Sequence, residues 1–85
     1  MKVVHKCPIH VDLTALGMRK GADVCYFGMQ DGEPMIWALV DTEEIETETR
    51  LFRFVGTGQE IRDSIKEYVG SVIDGRFVWH LYEVE

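Results

Sequence analysis

Two Asp-Gly steps, Asp31-Gly32 and Asp74-Gly75, each lie between runs of β-forming residues, and no other feature restricts the fold of this chain so tightly. Ala22–Met29 (ADVCYFGM) precedes the first step and Glu33–Val40 (EPMIWALV) follows it. Glu67–Ile73 and Arg76–Val84 flank the second in the same way. An Asp-Gly pair tolerates the positive φ that a tight hairpin turn requires, so each step predicts an antiparallel hairpin. Further strands are expected at Lys2–Cys7, before Pro8, at Arg50–Val55, and near Val11–Met18, the last ended by Gly17.

Met35–Val40 (MIWALV) is apolar on both faces, which predicts a central strand covered on both sides or lying against a partner subunit. In the closing run, alternation sets Phe77, Trp79 and Leu81 on one face and Val78, His80 and Tyr82 on the other. Only Gln59–Tyr68 carries a helical signal, with Ile61, Ile65 and Tyr68 at i, i+4 and i+7 and Gly58 as a weak cap. The expected fold is mainly β: a compact antiparallel β-sandwich or partly open barrel with one short helix, the alternative being an α+β roll. With 85 residues, the chain has room for a single small domain spanning 1–85. So many two-faced strands in so small a domain predict a homo-oligomer.

Charge narrows the function. Nine basic residues against 15 acidic ones give a net charge of −6, which argues against binding to bulk nucleic acid, where cations must neutralise phosphate. A small phosphorylated ligand remains compatible, since one or two arginines and backbone N–H groups suffice to hold it. Two cysteines, Cys7 and Cys25, are too few for a disulfide scaffold, and no run approaches the length that spans a bilayer. A cytoplasmic protein with reduced thiols is expected.

No nucleophile, base and orienting group stand in a recognisable catalytic pattern, so a non-enzyme without a cofactor is expected. Ser64 and Ser71 occupy no nucleophile elbow. His5, Cys7 and His10, even with His80 added, match no zinc spacing, and the acidic stretch Asp41–Glu48 (DTEEIETE) lacks the glycine and ligand alternation of a calcium loop. No metal is expected. The stretch reads as a solvated loop.

Gly56-Thr57-Gly58 is the remaining candidate. It reads first as a turn ending a strand, but its glycines admit positive φ and inward N–H groups, as in a backbone cradle for an anion. The Thr57 hydroxyl, Arg53 and a helix starting at Gln59 would add donors, with Arg50 as a second cation. Trp37, Phe52, Phe54, Trp79 and Tyr82 supply flat surface for a base, and His80 completes the candidate set.

MIWALVD (Met35–Asp41), FRFVGTG (Phe52–Gly58), EYVGS (Glu67–Ser71) and FVWHLYE (Phe77–Glu83), in that order, resemble a family of small uncharacterised proteins encoded by phages and prophage-bearing bacteria. The likeness covers most of the chain after Gly21. Two departures stand out: Gln59 replaces a histidine that often follows the Gly-Thr-Gly, and Arg19-Lys20 stands where a proline often precedes the Gly-Ala step. The resemblance implies a phage-type accessory protein in the host cytoplasm. Such proteins commonly act by binding, either sequestering a nucleotide signal of host defence or blocking a host protein. Arg53 and Gly56–Gly58 serve the first reading; the apolar strand faces and the acidic loop serve the second.

Overall fold

The computed structural model describes Met1–Glu85 and consists of seven strands without a helix. These are β1 (Lys2–Pro8), β2 (Asp12–Arg19), β3 (Asp23–Gln30), β4 (Glu33–Asp41), β5 (Thr47–Gly56), β6 (Ile65–Asp74) and β7 (Phe77–Val84). They form a three-stranded sheet, β1-β4-β3, and a four-stranded sheet, β2-β5-β7-β6, in which every pair is antiparallel. The two sheets stay separate and pack face to face as a sandwich. They do not close into a barrel, and the absence of a helix excludes the α+β roll.

Both hairpins form. In the first, Gln30 pairs with Glu33, and Asp31 and Gly32 both have positive φ, 52° and 78°, as a type I′ turn demands. In the second, Asp74 pairs with Phe77, so the two turn residues are Gly75 and Arg76. The positive φ of 62° at Gly75 suits the first position of a II′ turn. That shift by one residue lifts Arg76 out of the expected strand and onto the hairpin tip.

The expected helix over Gln59–Tyr68 is absent. Thr57–Ser64 is a loop, and β6 begins at Ile65. Register shifts at Ile65/Glu67 and Tyr68/Gly70 explain the false signal. Ile65 pairs with Val84 and Tyr68 with Tyr82, so a bulge sets two apolar residues, three apart in sequence, on one face of a strand. β2 likewise runs through Gly17 to Arg19, because its ladder with β5 continues without interruption.

β4 is central in its sheet, as its composition requires. Ile36, Ala38 and Val40 are buried against Phe52, Phe54 and Leu81 of the second sheet. Each large side chain fully removed from water contributes about 1.5–3 kcal/mol. The opposite face of β4, carrying Met35, Trp37 and Leu39, is only half-buried, so within one chain the strand is covered on one side. Where β3 and β6 pack together, Gly70 permits the approach: a Cβ there would stand 3.3 Å from the Cβ of Phe27.

Arg50 and Glu83 sit inside this arrangement. The guanidinium donates to both carboxylate oxygens, at 2.9 and 2.7 Å, and also to the carbonyl of Ala22 at 2.5 Å. Their side chains are 13% and 6% exposed. The hydrogen bond from Arg50 holds the Glu83 carboxyl below its usual range.

Candidate functional site

β5 leaves its sheet at Gly56 and turns back at once. The Gln59 N–H donates to the Gly56 carbonyl at 3.1 Å, and Gly58 takes a φ of +91°, which favours glycine there. Thr57 N–H donates to the Val78 carbonyl at 3.2 Å, and Gly56 N–H donates to the Gln59 side-chain oxygen. These donors are spent within the turn and on β7. Gly-Thr-Gly therefore presents no row of free N–H groups to an anion, and what it positions is the Thr57 hydroxyl and the Gln59 amide.

Gly56 also makes room for an indole: a Cβ at this position would stand 3.1 Å from Trp79. Trp79 stacks between Phe54, at a centroid distance of 5.1 Å, and Phe77, at 5.7 Å. Phe77 is 57% exposed, so the column of rings runs from the core to the surface. Beside it opens a cleft of about 300 Å³ lined by Gly56, Thr57, Gln59, Arg76, Phe77, Val78 and Trp79.

The arginines differ in what they have left to offer. Arg50 is held by Glu83, and Arg53 by Asp63 through contacts of 2.7 and 3.0 Å. Arg62 pairs with Glu60, and Arg19 donates to the Glu44 carbonyl. Arg76 alone among them has neither an ion pair nor a hydrogen bond within the chain.

A hydrogen-bonded chain of side chains borders the cleft on the outer face of the four-stranded sheet. His80 Nε2 lies 2.7 Å from the Thr57 hydroxyl, His80 Nδ1 lies 2.7 Å from Ser71 Oγ, and Ser71 Oγ lies 2.7 Å from the Tyr68 hydroxyl. The chain fixes the Thr57 side chain from behind. It gathers residues from the Gly-Thr-Gly turn, β6 and β7.

The fold thus brings together Gly56, Thr57, Gln59 and Trp79, with His80 joined through Thr57. It does not bring the others. Arg53 lines a separate cleft of about 440 Å³ with Asp12, Glu60, Arg62 and Asp63, which Gln59 also borders. Its hydrogen bond holds the Asp63 carboxyl below the usual range. Arg50 lies inside the sandwich. Trp37 is on the outer face of the other sheet against Tyr26, with centroids 5.5 Å apart. Gly58 shapes the turn without lining the cleft of Arg76. Arg76 and Phe77 were hidden in sequence because they read as strand; a cation directly after a turn glycine, followed by an aromatic, is the signal that marks them. No three of the histidine, cysteine and acidic side chains gather as a metal site would.

A family model described as a domain of unknown function (DUF7352) matches residues 1–85, the whole of the chain. No curated protein and no solved structure matches.

Proposed function

We propose that this chain, which belongs to the DUF7352 family of unknown function, is a non-catalytic protein that binds a small anionic ligand with a flat ring, of the nucleotide type. The ligand lies in the cleft between the Gly56–Gln59 turn and the tip of the β6–β7 hairpin. The observation that carries this reading is the unpartnered guanidinium of Arg76 beside the exposed ring of Phe77. A phosphate meets a cation with no competing carboxylate bound to it, and a base stacks on an aromatic already backed by Trp79. Thr57 and Gln59 supply hydroxyl and amide contacts to the polar edge. In a protein of charge −6, such a site takes one small anion and repels a polyanion.

The likeness to phage proteins gives the reading its setting: sequestration of a nucleotide signal in the host cytoplasm, as an anti-defence function. Both cysteines are free, which suits a reducing compartment, and no helix is long and apolar enough to cross a membrane. Isothermal titration against a panel of mononucleotides and cyclic dinucleotides tests it. Binding of at least one is expected, with Arg76→Ala losing it and Arg53→Ala keeping it. Silence across the panel, or equal affinity in Arg76→Ala, overturns the assignment.

A second reading, docking to a host protein, is favoured by the outer face of the three-stranded sheet. Val4 and Tyr26 are exposed there beside the half-buried Met35, Trp37 and Leu39, while Ile45 stands 90% exposed within the acidic loop. The face suits an apolar partner surface, and the acidic loop suits a basic patch beside it. Pull-down from host lysate with wild type and Trp37→Glu tests it, and equal recovery by both sinks it.

A further inference from the structure

A sandwich of two open sheets has four edge strands, and here they are unequal. β3 and β6 pack beside each other, and both are bulged, β3 at Val24/Tyr26 and β6 at Ile65/Glu67 and Tyr68/Gly70. Bulges of this kind discourage the pairing of a further strand. β1 and β2 are regular throughout. Single hydrogen bonds at their ends show which of their backbone groups are free.

On β1, Thr42 N–H donates to the Met1 carbonyl and Ile9 N–H to the Pro34 carbonyl. In an antiparallel pair the hydrogen-bonded residues alternate, so Val3, His5 and Cys7 are bonded to β4 while Lys2, Val4 and Lys6 point their backbone groups away. On β2, Lys20 N–H donates to the Glu46 carbonyl. By the same alternation Asp12, Thr14, Leu16 and Met18 are bonded to β5, and the outward groups belong to Leu13, Ala15, Gly17 and Arg19, whose carbonyl is taken by the Ala22 N–H.

We infer that β2 is a self-pairing edge: two copies of this chain join β2 to β2, antiparallel, about a two-fold axis through Ala15. Ala15 then faces Ala15 of the second copy, and Leu13 faces Gly17 at each end. Three pairs exchange about six backbone bonds, and the two four-stranded sheets become one of eight. The side chains fit this register. Leu13 is 42% exposed, and the place of a Cβ on Gly17 has no atom within 4 Å, so each leucine lies over an empty position on its neighbour. No charged side chain stands at the three pairing positions. β1 fails the same test, because a two-fold axis through Val4 sets Lys2 directly against Lys6 of the second copy, and like charges in opposed positions destabilise a ladder.

Sedimentation velocity over a range of concentrations, with hydrogen exchange on the same samples, tests the inference. Ala15→Pro removes an N–H that the β5 ladder does not use, and Ala15→Glu sets two carboxylates on the axis. The wild type is expected to dimerise as concentration rises, and both variants to stay monomeric with an unchanged circular dichroism spectrum. In the wild type, the amides of Leu13, Ala15 and Gly17 are expected to gain protection with dimerisation while those of Lys2, Val4 and Lys6 do not. A wild type monomeric throughout, a dimer that survives both substitutions, or protection that falls on Val4 instead would overturn the assignment. Should a variant unfold, the wild-type exchange pattern alone decides.

Discussion

Phe77 stacks on Trp79 with ring centroids 5.7 Å apart and planes inclined by 19°. A ligand ring settling on Phe77 extends this column, so Trp79 emission is expected to change with saturable dependence on ligand. Phe77→Ala removes a ring that is 57% exposed and is expected to cost less than about 1 kcal/mol of stability. The affinity of a nucleotide falls by at least about fivefold, the lower end of what one base–aromatic stack contributes. A fluorescence titration of both forms checks this, with denaturant unfolding as the stability control.

Glu83→Gln is expected to be far more damaging than its near-identical shape implies. It takes from the Arg50 guanidinium, 13% exposed, the one carboxylate hydrogen-bonded to it and leaves only the more distant charges of Glu48 and Glu67, a loss of about 3 kcal/mol for a broken interior pair. Urea unfolding should show a lowered midpoint with an unchanged slope. Replacing Arg50 and Glu83 together by Met and Leu should recover much of the loss, since an apolar pair of similar volume carries no desolvation cost.

Acid is the vulnerable side of the pH range. Hydrogen bonds from Arg50 and Arg53 depress the carboxyls of Glu83 and Asp63. A depressed carboxyl contributes stability that is fully present above the unfolded value of about 4 and is lost as pH falls through the folded value. The melting temperature is therefore expected to vary little between pH 7 and pH 5 from these groups and to fall below about pH 4. Asp63→Asn should flatten that acid slope, as measured by calorimetry.

At Gly28, an added Cβ would stand 2.5 Å from the Tyr26 ring, which must swing away from Trp37. Tyr26 is 62% exposed, so the displaced ring loses little. The backbone gain of about 0.5–1 kcal/mol from replacing a strand glycine by alanine works in the opposite direction. Gly28→Ala should thus leave stability nearly unchanged while altering the near-ultraviolet signal of Trp37. If a host protein docks on this face, its affinity changes as well.

The local half of the fold was legible. Asp31-Gly32 announced its turn because few other pairs accept two positive φ angles, and the alternation through Phe77, Trp79 and Leu81 sorted β7 correctly into inner and outer faces. The rest depended on partners distant in sequence. Nothing in Thr47–Gly56 says that it pairs with Asp12–Arg19 on one side and with Phe77–Val84 on the other. The bulges of β6 then imitated helical spacing at Ile65 and Tyr68. In the site, Thr57 and Gln59 follow from the Gly-Thr-Gly stretch and Trp79 and His80 from the closing strand; the first three line one cleft, and His80 joins it through Thr57. Sequence offers Arg50 and Arg53 as cations for a phosphate, and the structure commits both to carboxylates, because ion pairing is decided by tertiary neighbours rather than by sequence spacing.

The position of β5 also bears on how the chain comes to be folded. The β3–β4 and β6–β7 hairpins can close within a short span of chain, but β5 needs one neighbour made long before it and another made long after. Non-local closures of this kind are slow because the entropy of a large loop is lost before any contact repays it. On the ribosome, β5 emerges while the strand that will seal its second edge has yet to be translated. During that interval Phe52 and Phe54 lie beside unpaired backbone, and chaperone occupancy is expected to peak there. Polypeptides released early, before Phe77, lack the strand that pairs with that edge and are expected to aggregate or be degraded rather than to reach a partly active fold.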